Sequence, residues 1–298
     1  HIDPYGRISF CSFVKDLSLR YDLRRGTFRE AWEEFMPSLV YKVRGGDEYA
    51  ENCGSCEIRE DCRWCAAYGY LEHGRHSAKV EYLCEVARGS RRYKEEWCRL
   101  HRRYYRIAGV TIQVESDLPM DDRTFGDKFH PFRVEGPGED TIFLRHHFSF
   151  PELEGRDLGE QVFRKPPWAV FRRGRSWIYL GVYPGAEDSR FHRVAVFNGD
   201  HTRGRVYNNG EDRFRNGNLH SLTLFPTDQV LLARVLADRQ ACFLHAAGMV
   251  LDGKGLLFVG HSEAGKSTLV TMLRDEGEIL CDDRMIVRRW PEGFRIHG

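Results

Sequence analysis

The sequence predicts an α+β multidomain chain, and three observations predict it. Six of the nine cysteines lie before residue 85 in an irregular stretch. Alternating apolar runs fill the chain from about 107 to 225, and a glycine-rich turn sits between an apolar strand and a helix near residue 260. The expected order is a small irregular Cys-rich domain over 1–87 and a basic linker helix over 88–106. A β-rich middle domain follows over 107–240, then a truncated α/β phosphate-loop core over 241–298.

With 298 residues the chain is long enough for two domains and a small third one. Its 45 Lys and Arg residues balance 44 Asp and Glu residues, so bulk charge points to neither nucleic acid nor a membrane surface as partner. At 41% hydrophobic residues there is ample material for packed cores. No run reaches the ~18 apolar residues of a membrane span, and no export signal opens the chain. The sequence therefore reads as cytoplasmic. His1 stands where Met is expected, and Phe294, Arg295, Ile296, His297 and Gly298 stop in mid-pattern, so the sequence reads as a piece cut at both ends.

Along the first domain, Ile2, Asp3, Pro4, Tyr5 and Gly6 suggest a strand and turn. A helix is expected over 27–35, with Pro37 ending it. Residues 88–106 carry eight Lys or Arg residues, a solvated helical face rather than a nucleic-acid surface. Strands are expected at 110–114, 177–180 and 194–197, separated by turn-formers such as Gly136-Pro137-Gly138 and Asn208-Asn209-Gly210. His146 and His147 read as ordinary strand residues. A helix over 227–239 would use Thr227 as N-cap and turn Val230, Leu231 and Val235 to the core. Then come a strand at 242–251, a turn at Asp252-Gly253, a buried strand at 256–259 and a helix from Lys266 to Arg274. Two last strands bracket Asp282-Asp283.

The run Gly260-His261-Ser262-Glu263-Ala264-Gly265-Lys266-Ser267-Thr268 satisfies the G-x-x-x-x-G-K-[ST] pattern. Its glycines let successive backbone N–H groups face phosphate oxygens, and the helix start adds its positive dipole end. Lys266 would reach the β- and γ-phosphates of ATP, and the Ser267 hydroxyl would hold Mg²⁺. Asp282 and Asp283 follow an apolar strand, and a carboxylate pair beside a phosphate loop suits one metal ligand and one general base. His245 would either tune that base or sit in a core.

In this order, Leu244-His245-Ala246-Ala247-Gly248, the Asp-Gly turn, Gly260 through Thr268, and Ile279-Leu280-Cys281-Asp282-Asp283-Arg284 resemble the HPr kinase/phosphorylase family. That family's core is of the phosphoenolpyruvate carboxykinase-like P-loop fold. The resemblance covers about 241–298 and, more loosely, the preceding β-rich part. It implies ATP-dependent phosphorylation of a serine hydroxyl on a peptide or protein. Asp283 would be the base, Asp282 the metal partner, and His245 an assistant to the pair. The family's later acidic and Arg signature would lie beyond Gly298.

The cysteines form a second pattern, Cys53-x2-Cys56-x5-Cys62-x2-Cys65, with Cys84 further on. Thiolates at such spacings can converge on one metal centre. Zinc is one reading, although five residues between the pairs is short for a zinc ribbon. The segment resembles the SPASM domain of radical SAM peptide-modifying enzymes through these residues. Trp64-Cys65, Tyr82-Leu83-Cys84-Glu85 and the upstream Asp3-Pro4-Tyr5-Gly6 and Cys11 add to the likeness. The resemblance implies a [4Fe–4S] cluster on Cys53, Cys56, Cys62 and Cys84, and a second cluster using Cys11 and Cys65. The second set departs from the family pattern, because Ala31 stands where a cysteine is expected and Cys62-x2-Cys65 is one residue short. The radical SAM C-x3-C-x2-C triplet is not in this sequence.

The expectation is thus a phosphotransferase fused to an iron–sulfur domain, both parts acting on one peptide substrate, with oligomeric state left open. A carboxykinase-like lyase and a nucleotide-binding regulatory module without catalysis are the alternatives.

Overall fold

The computed structural model describes residues 1–44, 47–153, 156–165, 167–182, 191–223 and 228–298. The chain mixes helices with one large sheet and smaller ones, and it divides into two compact units, His1–Trp97 and Cys98–Gly298.

The first unit opens on a short antiparallel ribbon, β1 (Arg7–Ser9) against β2 (Arg20–Asp22), with Ile8 opposite Tyr21. Asp3 fixes the preceding turn. Its carboxylate accepts the N–H groups of Tyr5 and Arg7 and pairs with Arg20 at 2.9 Å. Helix α1 (Phe28–Glu30) starts with a reciprocal capping box between Thr27 and Glu30, as a Thr three residues before a Glu allows. The helical run then passes Pro37 rather than ending there. A π-helical turn at Ala31–Phe35 leads into α2 (Met36–Arg44). A proline lacks an N–H, and its ring presses on the carbonyl four residues back. The widened turn, in which the Met36 N–H reaches the Ala31 carbonyl, relieves that conflict immediately before Pro37.

Helix α3 (Asp47–Tyr49), a second π turn (Ala50–Gly54), a 3₁₀ turn (Arg59–Asp61) and α4 (Ala66–His73) follow. The core of this unit is small, with Val14, Leu19, Leu39 and Ala67 buried among Phe10, Cys11, Phe35, Met36 and Tyr70. The basic stretch expected as a linker belongs to a longer helix, α5 (Glu81–His101). Its charges are laced by Arg88–Glu85 and Arg91–Glu95 pairs, the solvated face the sequence suggests. Residues 102–106 are strand instead.

Among the described residues, the second unit opens on a nine-stranded sheet. Its strands are β3 (Arg102–Ile107), β4 (Val110–Ser116), β5 (Arg133–Val134), β6 (Thr141–His147), β7 (Glu160–Lys165), β8 (Trp168–Arg173), β9 (Ser176–Val182), β10 (Phe191–Phe197) and β11 (Arg203–Asn208). They pair in the order β5-β3-β4-β6-β11-β10-β9-β8-β7. Among the described strand pairs of this sheet, β4–β6 and β6–β11 are parallel and the rest antiparallel. Ile112, Ile142, Leu144, Ala195 and Val206 line one core. Ala169, Ile178, Leu180 and Val194 line a second. Period-2 alternation thus places apolar side chains on both faces.

Two helices follow, α6 (Asp212–Asn216) and α7 (Asp228–Ala237). Helix α7 buries Leu231, Leu232, Val235 and Leu236 in the first core. Each such residue stabilises the fold by roughly 1.5–3 kcal/mol. Val230, expected on that apolar side, is exposed because the buried stripe centres on the residues after it. Thr227, the expected N-cap, lies outside the described residues. The Asp228 carboxylate accepts from the Leu222 N–H, the Thr223 N–H and the Ser221 hydroxyl at 2.7–2.9 Å. It thereby ties the segment around residue 221 to the start of α7.

The remaining strands are β12 (Ala241–Leu251), β13 (Lys254–Val259), β14 (Glu278–Cys281), β15 (Arg284–Trp290) and β16 (Gly293–His297), with helix α8 (Lys266–Met272). Long β12 is the axis, and all its pairings are antiparallel. It pairs with β13 along one edge, and with β14 and then β15 along the other. Strand β13, expected to be buried, is an edge strand only partly covered, with Val259 66% exposed. An apolar run of this length reads the same whether it is covered or not.

Candidate functional site

The run Gly260–Thr268 forms the turn between β13 and α8 and the first residues of α8, the strand–loop–helix context its pattern requires. Two residues in the loop have left-handed backbone, Gly265 at φ 81° and Glu263 at φ 68°. At Gly265 this is unstrained because glycine has no Cβ to clash, and it hands the chain directly into the first turn of α8. Glu263 adopts the same region with a side chain, so the loop holds a conformation that most residues avoid.

Lys266 folds back over the loop. Its Nζ donates to the carbonyls of Gly260 at 2.9 Å and His261 at 2.8 Å. It also reaches Nε2 of His245 at 3.1 Å. The ammonium can only donate, so Nε2 accepts and the proton of a neutral ring resides on Nδ1. That Nδ1 faces Asp283, at 3.0 Å from Oδ1 and 3.2 Å from the backbone carbonyl. The other carboxylate oxygen of Asp283 pairs with Nε of Arg284 at 3.2 Å.

Backbone pairing explains why these residues meet. His245 is the last β12 residue in register with β15, opposite Arg284. The next, Ala246, donates its N–H to the Asp283 carbonyl at 3.1 Å. Asp282 and Asp283 bridge β14 to β15 along one edge of β12, and a register shift near Gly248 bends the ladder there. The Met285 side chain packs over Gly248, in the space a Cβ there would take. The His245 and Asp283 side chains are about half exposed, at 51% and 53%. Such a pair contributes little to stability, of order 0–1 kcal/mol.

Ser267 lies in the first turn of α8 and Asp282 at the end of β14, both in open positions. A hydroxyl and a carboxylate oxygen are each the kind of donor that a hard cation such as Mg²⁺ takes. His245, Leu244, Phe243, Gln229, Ala233 and Arg284 border a cavity of about 420 Å³ beside the His–Asp pair. Arg284 and Gln229 also border a second cavity of about 690 Å³, further lined by Lys128, Arg193, Arg213 and His220. Sequence reasoning missed these basic residues, because they come from segments far apart in the chain and match no motif.

In the first unit, Cys53, Cys56, Cys62 and Cys84 line one cavity of about 140 Å³ with Tyr49, Trp64 and Lys79. All are free thiols. Burial pushes the Cys53 thiol up, and the neighbouring Cys84, Cys62 and Cys56 add to the shift. Burial likewise raises Cys84. Cys11 packs against the small core and Cys65 precedes α4, neither in the cavity lining. Among the described residues no three His, Cys, Asp or Glu side chains are close enough together to hold a metal ion as they stand. Among those residues also, no helix is long and apolar enough to cross a membrane.

No known family model matches this chain. A search of curated proteins likewise returns no match.

Proposed function

We propose that the second unit is an ATP-dependent phosphotransferase of the HPr kinase type, acting on a serine hydroxyl of a peptide or protein. The observation that carries this reading is the line Lys266–His245–Asp283, which joins the phosphate loop to a carboxylate through one imidazole. Lys266 rests on its own loop carbonyls and on His245, a posture that ATP would replace by offering phosphate oxygens to the ammonium.

In the reaction, the serine hydroxyl gives its proton to Asp283 as its oxygen forms a bond to the γ-phosphorus. The bond from that phosphorus to the bridging oxygen breaks, and ADP leaves with the electron pair. Phosphoserine, ADP and one proton released from Asp283 balance the equation. His245 orients the carboxylate through Nδ1–H, and Lys266 stabilises charge on the transferring phosphoryl group. Mg²⁺, which Ser267 and Asp282 would hold, supplies further neutralisation of the phosphate oxygens when bound.

We further propose that the first unit holds a [4Fe–4S] cluster on Cys53, Cys56, Cys62 and Cys84. Their common cavity supports this, and the thiols would move inward and lose their protons on binding. Four protein ligands complete a cubane, so its role would be structural or electron-transferring. Cys11 and Cys65 stand outside the cavity lining, and the proposal does not extend to a second cluster.

The phosphate-loop assignment is tested with Lys266→Ala in the full chain. The expected result is loss of ATP-dependent phosphoryl transfer and a large weakening of ATP binding, measured by calorimetry. ATP binding and turnover equal to the parent protein would remove the assignment.

A further inference from the structure

The cavity of about 690 Å³ that Arg284 borders is also lined by Lys128, Arg193, Arg213 and His220. No Asp or Glu is among the described residues lining it. We propose that this cavity is the acceptor subsite, and that it selects a peptide whose serine is flanked by acidic residues. The proposal rests on the phosphotransferase reading and names the substrate class for that same site.

Three features support it. First, the charge is local, because the whole chain carries a net +1. A bias toward acidic peptides would therefore come from this cavity and not from bulk attraction. Second, Arg284 borders both this cavity and the smaller one that contains His245, and it contacts the Asp283 carboxylate at 3.2 Å. A peptide held along the basic lining would thus lie beside the base that must take the serine proton. Third, part of the lining is anchored. Asp228 ties Ser221, Leu222 and Thr223, next to His220, to the start of α7. Arg213, on α6, is exposed and makes no salt bridge among the described residues, so its charge is available to a ligand.

Direct binding tests this apart from catalysis. A fluorescein-labelled peptide with one serine between glutamates is titrated with the full-length chain at low salt without ATP, followed by anisotropy. Its counterpart with lysines in place of the glutamates is the reference. The acidic peptide should bind at least about tenfold more tightly. Arg213→Glu should remove about that factor, whereas Arg215→Glu, on the same short helix but paired to Glu211 and outside the lining, should not. Equal binding of the two peptides would overturn the proposal, as would equal effects of the two reversals. ATP binding, measured in parallel, keeps the two readings separate. Lost ATP binding with intact peptide selectivity defeats the kinase reading alone, and intact ATP binding without peptide selectivity defeats the subsite alone.

Discussion

Asp283 is one of two adjacent carboxylates, and its neighbours distinguish it. His245 approaches one of its oxygens and Arg284 the other, whereas Asp282 stands open at the end of β14. The proposed base and the proposed metal partner can therefore be separated by substitution. Asp283→Asn should leave ATP binding largely intact while lowering phosphoryl transfer by about 10²–10⁴-fold, the usual worth of a general base. Loss of ATP binding in that variant, measured by calorimetry, would instead make Asp283 a metal-holding or structural residue. The sequence showed the loop, the acidic pair and a histidine in the preceding strand. It could not show that His245 falls opposite Arg284, because register is a property of two strands paired at a distance. The contact from Lys266 to His245 was equally hidden, since it depends on a lysine folding over its own loop.

Four secondary-structure contexts bring the cysteines to one cavity. Cys53 comes from a π turn, Cys56 from the turn after it, Cys62 from the end of a 3₁₀ turn and Cys84 from α5. Cys98 lies on the same helix, fourteen residues further along, or roughly 21 Å at 1.5 Å per residue. The helix thus carries one candidate ligand and one control. Protein purified without oxygen should be brown, with ~4 iron per chain. Cys84→Ala should bleach most of that colour, and Cys98→Ala should not. A colourless anaerobic preparation with stoichiometric zinc would sink the cluster assignment and leave the phosphotransferase reading standing. The cysteine spacing was legible because Cys53, Cys56 and Cys62 are close in sequence and need little tertiary information to reach one cavity. The helix passing Pro37 was not, because the π turn that admits the proline depends on how the run packs. The open edge strand β13 was not legible either, since apolar composition alone does not say what covers it.

At the scale of the second unit, folding and protonation are linked through buried histidines. His146 is fully enclosed in β6, where its Nε2–H donates to the Leu222 carbonyl at 2.7 Å. Burial lowers its pKa to about 4, and the nearby Arg193 and His147 charges push the same way against the Leu222 carbonyl, which favours the proton. His201, buried against Tyr179, is lowered to about 4 by burial as well. An exposed histidine in the unfolded chain titrates near 6.5. Between those values the unfolded state binds protons that the folded state refuses, so stability rises with pH across this window. Stability is therefore fully present above about 6.5 and declines as the pH falls toward 4. For His146 alone, a difference of about 2.5 units at 1.36 kcal/mol each amounts to about 3 kcal/mol. Urea midpoints read from amide exchange in β4, β6 and β11 should therefore fall steeply from pH 7 to pH 4.5. His146→Gln, which removes the titrating group but keeps an amide donor for Leu222, should start less stable and show a flatter decline. A midpoint unchanged over that range in the parent protein would mean that these rings gain protons without opening the core, and the buried-histidine account of the unit would fail.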